Sequence, residues 1–194
     1  MAILTHAAIK AAIDKGEIVI QGLKEGSIGT ESIDLHLGPE IKRMKTNSIH
    51  RIIDAYGTDW IDVFDPKEDY EYELMQFQND YILLMPGELY LGHTIEVVGS
   101  DFYHPQLHDK SSCMRAGIST HGNSGFGDCG FYGQYTLEIQ VVKPTILYLG
   151  MAICQISFET MQGERSFYSD RKSSKYMNQT GATESKVQNN FLEK

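Results

Sequence analysis

The sequence predicts a mainly β fold of sandwich or barrel type, with one short helix at its N-terminus. Three observations carry that expectation. Short apolar runs recur along the chain, among them EIVIQGL, SIDLHLG, YGQYTLEIQVV and TILYLGMAICQISFE. These runs are rich in Tyr, Ile, Val and Thr, and several alternate with period two. Gly and Pro punctuate the intervals densely, which suits strands and turns better than helices. At 194 residues and 41% apolar content, the chain suits a single domain spanning 1–194 with a real core.

The elements follow in order. Thr5 is placed to cap a helix whose apolar face is Ala8, Ile9, Ala12 and Ile13, with Gly16 as its stop. Strand-like runs begin at residues 17–23 and 32–38. Residues 46–80 are acidic and irregular and read as a long loop with one or two edge strands. Met85-Pro86-Gly87 and Leu149-Gly150-Met151 read as tight turns inside longer apolar stretches. From about 163 to 194 the chain turns polar. Composition there fits a disordered tail. Yet Tyr168, Arg171, Lys172, Lys175, Tyr176 and Gln179 equally suit a segment that orders over an anionic ligand.

Bulk properties exclude several classes. A net charge of −9 argues against a general nucleic-acid binder, which must neutralise phosphates, but leaves room for a local cationic pocket. No apolar run is long enough to span a bilayer, so no membrane association is expected. The first residues lack the pattern of a signal peptide, and a cytoplasmic location is the default expectation. Cys113, Cys129 and Cys154 are odd in number and widely spaced, which fits reduced thiols in the core rather than a disulfide framework or zinc site. Neither H-x-E nor P-C-x-x-C occurs, so a zinc deaminase site is not expected.

The chemistry-bearing residues concentrate between 109 and 138. Lys110, Ser111, Ser112 and Arg115 supply an ammonium, two hydroxyls and a guanidinium within six residues. That set can cradle an anion, or can be a surface helix turn with a solvated positive face. Gly122, Gly125, Gly127, Gly130 and Gly133 surround Asp128, allowing either close approach to a ligand or a plain hairpin turn. Glu138 shares a strand face with Thr136 and Gln140, opposite Leu137 and Ile139. On a solvated face it is unremarked; lining a pocket, it is a candidate general base.

Taken in order, these pieces resemble the dCTP deaminases of the trimeric dUTPase-like superfamily. The resemblance lies in Lys110-Ser111-Ser112-Cys113-Met114-Arg115, His121, Asp128-Cys129-Gly130-Phe131-Tyr132-Gly133 and Thr136-Leu137-Glu138. It extends to SIDLHLG, PGELYLG, LGMAICQISFE and the tail KYMNQTGATESK. It implies a dUTPase-like distorted jelly-roll β-barrel with a C-terminal lid segment, in a homotrimer with sites shared between subunits. It implies Glu138 as general base, Ser111 positioning the water that attacks C4 of cytosine, and Arg115 fixing the charge pattern. Lys110, Ser112, Tyr168, Lys175 and Gln179 match triphosphate-binding positions, and Gln155 a nucleotide contact. Asp128 and Phe131 match positions at the deoxyribose, and the backbone of Thr136 and Leu137 would read the base. Mg2+ would come with the triphosphate, with no zinc and no protein-held metal.

The sequence departs from the family pattern at Cys129, at Gly127 and at Gly122-Asn123-Ser124, the last in a loop tied to closure and to inhibition by dTTP; inhibition here stays open. The leading expectation is deamination of dCTP to dUTP and ammonia. The rivals are a bifunctional enzyme that continues to dUMP and pyrophosphate, a dUTPase alone, and a nucleotide-binding regulator without catalysis.

Overall fold

In the computed structural model, residues 2–45, 50–120 and 124–192 are described. Helix α1 (His6–Asp14) precedes β1 (Val19–Gln21), β2 (Ile33–His36), β3 (Ile41–Met44), β4 (His50–Ile53), β5 (Trp60–Val63) and β6 (Tyr72–Met75). Then come β7 (Tyr81–Leu84), β8 (Tyr90–Gly99), β9 (Tyr103–Asp109), the five-residue α2 (Ser111–Arg115) and β10 (Ile118–Ser119). Strands β11 (Tyr132–Val141), β12 (Thr145–Tyr148) and β13 (Ala152–Thr160) complete the set.

The expected helix forms, with Ile9 and Ala12 buried. Thr5 precedes it in extended backbone and receives the Ile9 N–H on its carbonyl at 2.8 Å, but its side chain makes no cap bond. The expected turns form at Gly87 and Gly150, both with positive φ. Residues 50–75 hold more structure than expected: β4 and β5 make a hairpin, and β6 pairs with β3. The hairpin's residues are almost all exposed on both faces, so no apolar alternation marks them in the sequence.

Two sheets enclose the core. The larger runs β10-β11-β8-β3-β6, with β1 also on β8; the smaller is β2-β13-β9. A two-stranded β7–β12 ribbon stands beside them. Ile33, Leu35 and Leu37, Ile153, Ile156 and Phe158, and Leu137 and Ile139 join one buried apolar cluster. Burying each such side chain is worth about 1.5–3 kcal/mol.

The β8–β11 pairing is antiparallel and shifts register between Gln134↔Val97 and Thr136↔His93. The partner sum falls by two, so β8 carries two extra residues and the side-chain parity of β11 is kept. Side chains satisfy the displaced backbone. Thr94 Oγ1 accepts the Tyr135 N–H at 3.0 Å and donates to the Glu96 carbonyl at 2.8 Å. Gln134 Nε2 donates to the Ile95 carbonyl at 3.0 Å.

Glu96, from this irregular stretch, is fully buried. Its carboxylate accepts the His36 backbone N–H at 2.9 Å and sits 2.6 Å from His36 Nδ1, tying β8 to β2. Replacing it with Ala strands both groups in the core. Glu96→Ala is expected to cost about 3 kcal/mol and Glu96→Gln less, since an amide oxygen still accepts. Urea midpoints at constant slope check the ranking.

Candidate active site

Strand β11 alternates strictly along most of its length. Tyr135, Leu137, Ile139 and Val141 point inward, and Thr136 and Glu138 are half-buried on the opposite face. That face floors a cavity of about 480 Å3, continued by Leu91 and Met44 on the neighbouring strands. The volume suits a small-molecule ligand.

One wall is the chain entering β11. Gly127 has no room for a side chain: a Cβ would lie 2.7 Å from the Pro105 carbonyl oxygen and 2.9 Å from the Tyr135 hydroxyl. Its N–H donates to Pro105 O at 2.9 Å, strapping this segment to β9. Asp128 follows at the cavity edge and opens a turn closed by the Phe131 N–H onto its carbonyl at 3.2 Å. Gly130, at φ +79°, supplies the left-handed residue of that turn, and a Cβ there would meet Phe167 at 2.8 Å. Phe131 tilts against Tyr135, with centroids 5.1 Å apart.

The opposite wall is the polar tail, which is ordered against β11. The Tyr168 N–H donates to Cys129 O at 2.8 Å, and its ring meets Phe131 edge-on at 6.0 Å. Gln134 and Gln179 are bonded twice, Gln134 N–H to Gln179 O at 3.0 Å and Gln179 Nε2 to Gln134 O at 2.8 Å. The Thr183 N–H reaches Thr136 Oγ1 at 3.2 Å. Tyr168 also folds the tail on itself, its hydroxyl accepting the N–H groups of Lys175 and Tyr176 at 3.0 and 3.1 Å.

Asp128, Phe131, Thr136, Glu138, Tyr168 and Gln179 therefore line one cavity. Leu137 points into the core, so its side chain does not line the cavity. Lys110, Ser111, Ser112, Arg115, Gln155 and Lys175 are not in the cavity wall. Lys110 pairs with Asp34 at 2.6 Å; Ser111, Ser112 and Arg115 are exposed on α2. Gln155 lies half-buried on β13 with Ser32 Oγ 3.5 Å away, and Lys175 Nζ bonds Asn190. His121, Gly122 and Asn123 lie outside the described residues.

The cavity also uses residues given no site role from sequence: Phe64 and Tyr72, Leu89 in PGELYLG and Glu184 in KYMNQTGATESK. Among the described residues, the charged ones lining the cavity are Asp128, Glu138 and Glu184; no Lys or Arg is among the lining residues. Lys42 pairs with Glu184 at 3.1 Å. Burial pushes the Tyr135 hydroxyl up, with Asp128's charge adding to it, so Tyr135 is neutral at physiological pH. Burial likewise raises all three thiols, which keeps them protonated and unsuited to nucleophilic work. Among the described residues, no group of three or more His, Cys, Asp or Glu is arranged to hold a metal ion.

Comparison with known families locates this arrangement. A model of the dCTP deaminase-like domain matches residues 3–161. This chain belongs to the dCTP deaminase-like family. Relatives named "dCTP deaminase, dUMP-forming" include one from Clostridium acetobutylicum, 34% identical, covering 98% of this chain and 99% of its own. Another, from Methanosphaera stadtmanae, is 36% identical with 98% and 96% covered. A third, from Leptospira biflexa, is 41% identical with 67% and 73% covered. A crystal structure of 2'-deoxycytidine 5'-triphosphate deaminase from Agrobacterium tumefaciens shares the fold, with a TM-score of 0.56 and 20% identity. That match covers 82% of this chain and 48% of the other, so this chain spans about half its length.

The family's mainly β, dUTPase-like fold is thus the one expected from sequence. The family match ends at residue 161, before the tail that forms a cavity wall. The Tyr168 hydroxyl is the tail's internal anchor, and Tyr168→Phe removes the acceptor of two backbone N–H groups. Trypsin cleavage after Arg171, Lys172 or Lys175 is expected to accelerate roughly tenfold. Mass spectrometry of timed digests locates the cuts, and an unchanged thermal midpoint separates tail release from loss of the β core.

Proposed function

We propose that this protein hydrolyses dCTP to dUTP and ammonia and then cleaves the dUTP to dUMP and pyrophosphate. The observation that carries the reading is Glu138 on the floor of a nucleotide-sized cavity, facing a wall that carries Asp128. The relatives' shared name, dUMP-forming, favours the two-step reaction over deamination alone.

Glu138 takes a proton from water as its oxygen bonds to C4 of cytosine. The proton is delivered to N3, the second water proton goes to the departing amine, and ammonia leaves. Phe131 packs against the deoxyribose and Asp128 accepts from a sugar hydroxyl. The backbone at Thr136 and Leu137 reads the base edge. Tyr168 and Gln179 hold the nucleotide from the tail side, and Mg2+ enters as part of the substrate, on its phosphates.

The cavity's acidic lining cannot neutralise a triphosphate by itself. Phosphate binding calls for cations, and the exposed Ser111, Ser112 and Arg115 with Lys110 form a compact set of donors suited to it. A second copy of the chain supplies them in this reading. The assembly is a homotrimer in which α2 of one subunit completes the cavity of the next. Ser111 then positions the attacking water and Arg115 the charge pattern, while Gln155 and Lys175 contact nucleotide in the assembled site. The setting is cytoplasmic nucleotide metabolism.

Incubation with dCTP and Mg2+ is expected to give dUMP, pyrophosphate and ammonia, resolved by anion-exchange chromatography. Accumulation of dUTP alone would reduce the activity to deamination, and consumption of dUTP with dCTP untouched would leave only a dUTPase. Glu138→Gln is expected to lower ammonia release by at least about a thousandfold while dCTP still binds. Excess EDTA lowers turnover and a zinc-selective chelator leaves it unchanged. Arg115→Ala and Glu138→Gln subunits, each inactive, are expected to regain activity when mixed and reassembled.

A further inference from the structure

The Ser124 hydroxyl donates to Glu138 Oε2 at 2.8 Å. Both residues line the cavity. We propose that Ser124 is a positioning residue for the general base, holding the Glu138 carboxylate in the orientation that receives the proton of the attacking water. The inference rests on the reading of Glu138 as that base.

The geometry favours a designed contact because both ends are fixed independently. Glu138 is set by β11, where it pairs with Leu91 of β8. Ser124 directly precedes a segment strapped to β9. The Leu107 N–H donates to Gly125 O at 2.7 Å, and the Gly127 N–H donates to Pro105 O at 2.9 Å. Between them Phe126 pairs with Gln106 as an isolated bridge and packs on His104, centroids 4.1 Å apart. The hydroxyl therefore closes a link between two sheets, across fourteen residues of sequence.

A glutamate on a half-open strand face has three rotatable bonds and samples several orientations. A charge-assisted hydrogen bond from a fixed donor selects one of them. The same bond favours the ionised carboxylate. The groups facing it across the cavity act in the other direction: Asp128 from the loop and Glu184 from the tail, the latter paired with Lys42 of β3. The remaining titratable neighbours in the described lining are the hydroxyls of Tyr72, Tyr135, Tyr168 and Tyr176.

Steady-state ammonia release as a function of pH tests the role. Ser124→Ala is expected to lower kcat about tenfold with KM within about twofold, and to move the acid limb of kcat/KM upward by about half to one pH unit. Ser124→Thr, which keeps a hydroxyl, is expected to recover most of both effects. Wild-type kcat and an unmoved acid limb in Ser124→Ala overturn the inference, as does a Thr variant that binds dCTP normally yet is as impaired as Ala. Glu138→Gln measured alongside separates the two readings. If Glu138→Gln is inactive and Ser124→Ala is wild-type, only the positioning role fails. If Glu138→Gln still releases ammonia, the base assignment itself fails.

Discussion

The β8–β11 pairing is the constraint on which the site depends. A strand shows opposite faces on alternate residues, so a one-residue slip would exchange Glu138 with Leu137 or Ile139. The carboxylate would enter the core and a large aliphatic side chain would floor the cavity. The irregularity opposite Tyr135 consumes two residues of β8, an even number, and so bends the pair without exchanging its faces. Thr94 and Gln134 supply the hydrogen bonds that the ladder loses there. The same stretch of β8 holds Glu96, whose carboxylate fixes His36 at the end of β2. One local distortion thus sets the face of Glu138 and the docking of the second sheet together.

The site's electrostatics pull against its task when a single chain is considered. The three carboxylates of the described lining repel a polyphosphate, while the compact group of phosphate-type donors stands outside on α2. Lys110 is held by Asp34 beneath that helix, which leaves Ser111, Ser112 and Arg115 projecting.

Periodicity makes much of this legible. The alternation in YGQYTLEIQ assigns Glu138 to the face opposite Leu137, because burial on one face leaves a period-two record in the sequence. The helix at 6–14 and the turns at Gly87 and Gly150 are legible for similar reasons of spacing and backbone need. What stays hidden lacks such a record. The β4–β5 hairpin is exposed on both faces, so Ile52, Ile53 and Trp60 carry no inside-outside pattern. The tail is held in part by backbone hydrogen bonds with Gln134, Tyr132 and Cys129, which leave no mark in its composition. The motif from Lys110 to Glu138 reads as one contiguous site, yet it divides in space because α2 and the floor of β11 face different ground.

In the loop from Ser124 to Asp128, the departure at Gly127 is a matter of fold, since a side chain has no room there, whereas the one at Ser124 is not. The loop backbone is fixed by β9 through Gly125 and Gly127, so the identity of the side chain at 124 is not needed to shape it. A small apolar side chain would satisfy the same path. The hydroxyl adds one bond, and that bond goes to Glu138, the carboxylate on the cavity floor. A fold-neutral position, adjacent to a strap and within reach of the reacting group, is where a change of one atom alters the orientation and ionisation of a base without cost to the core.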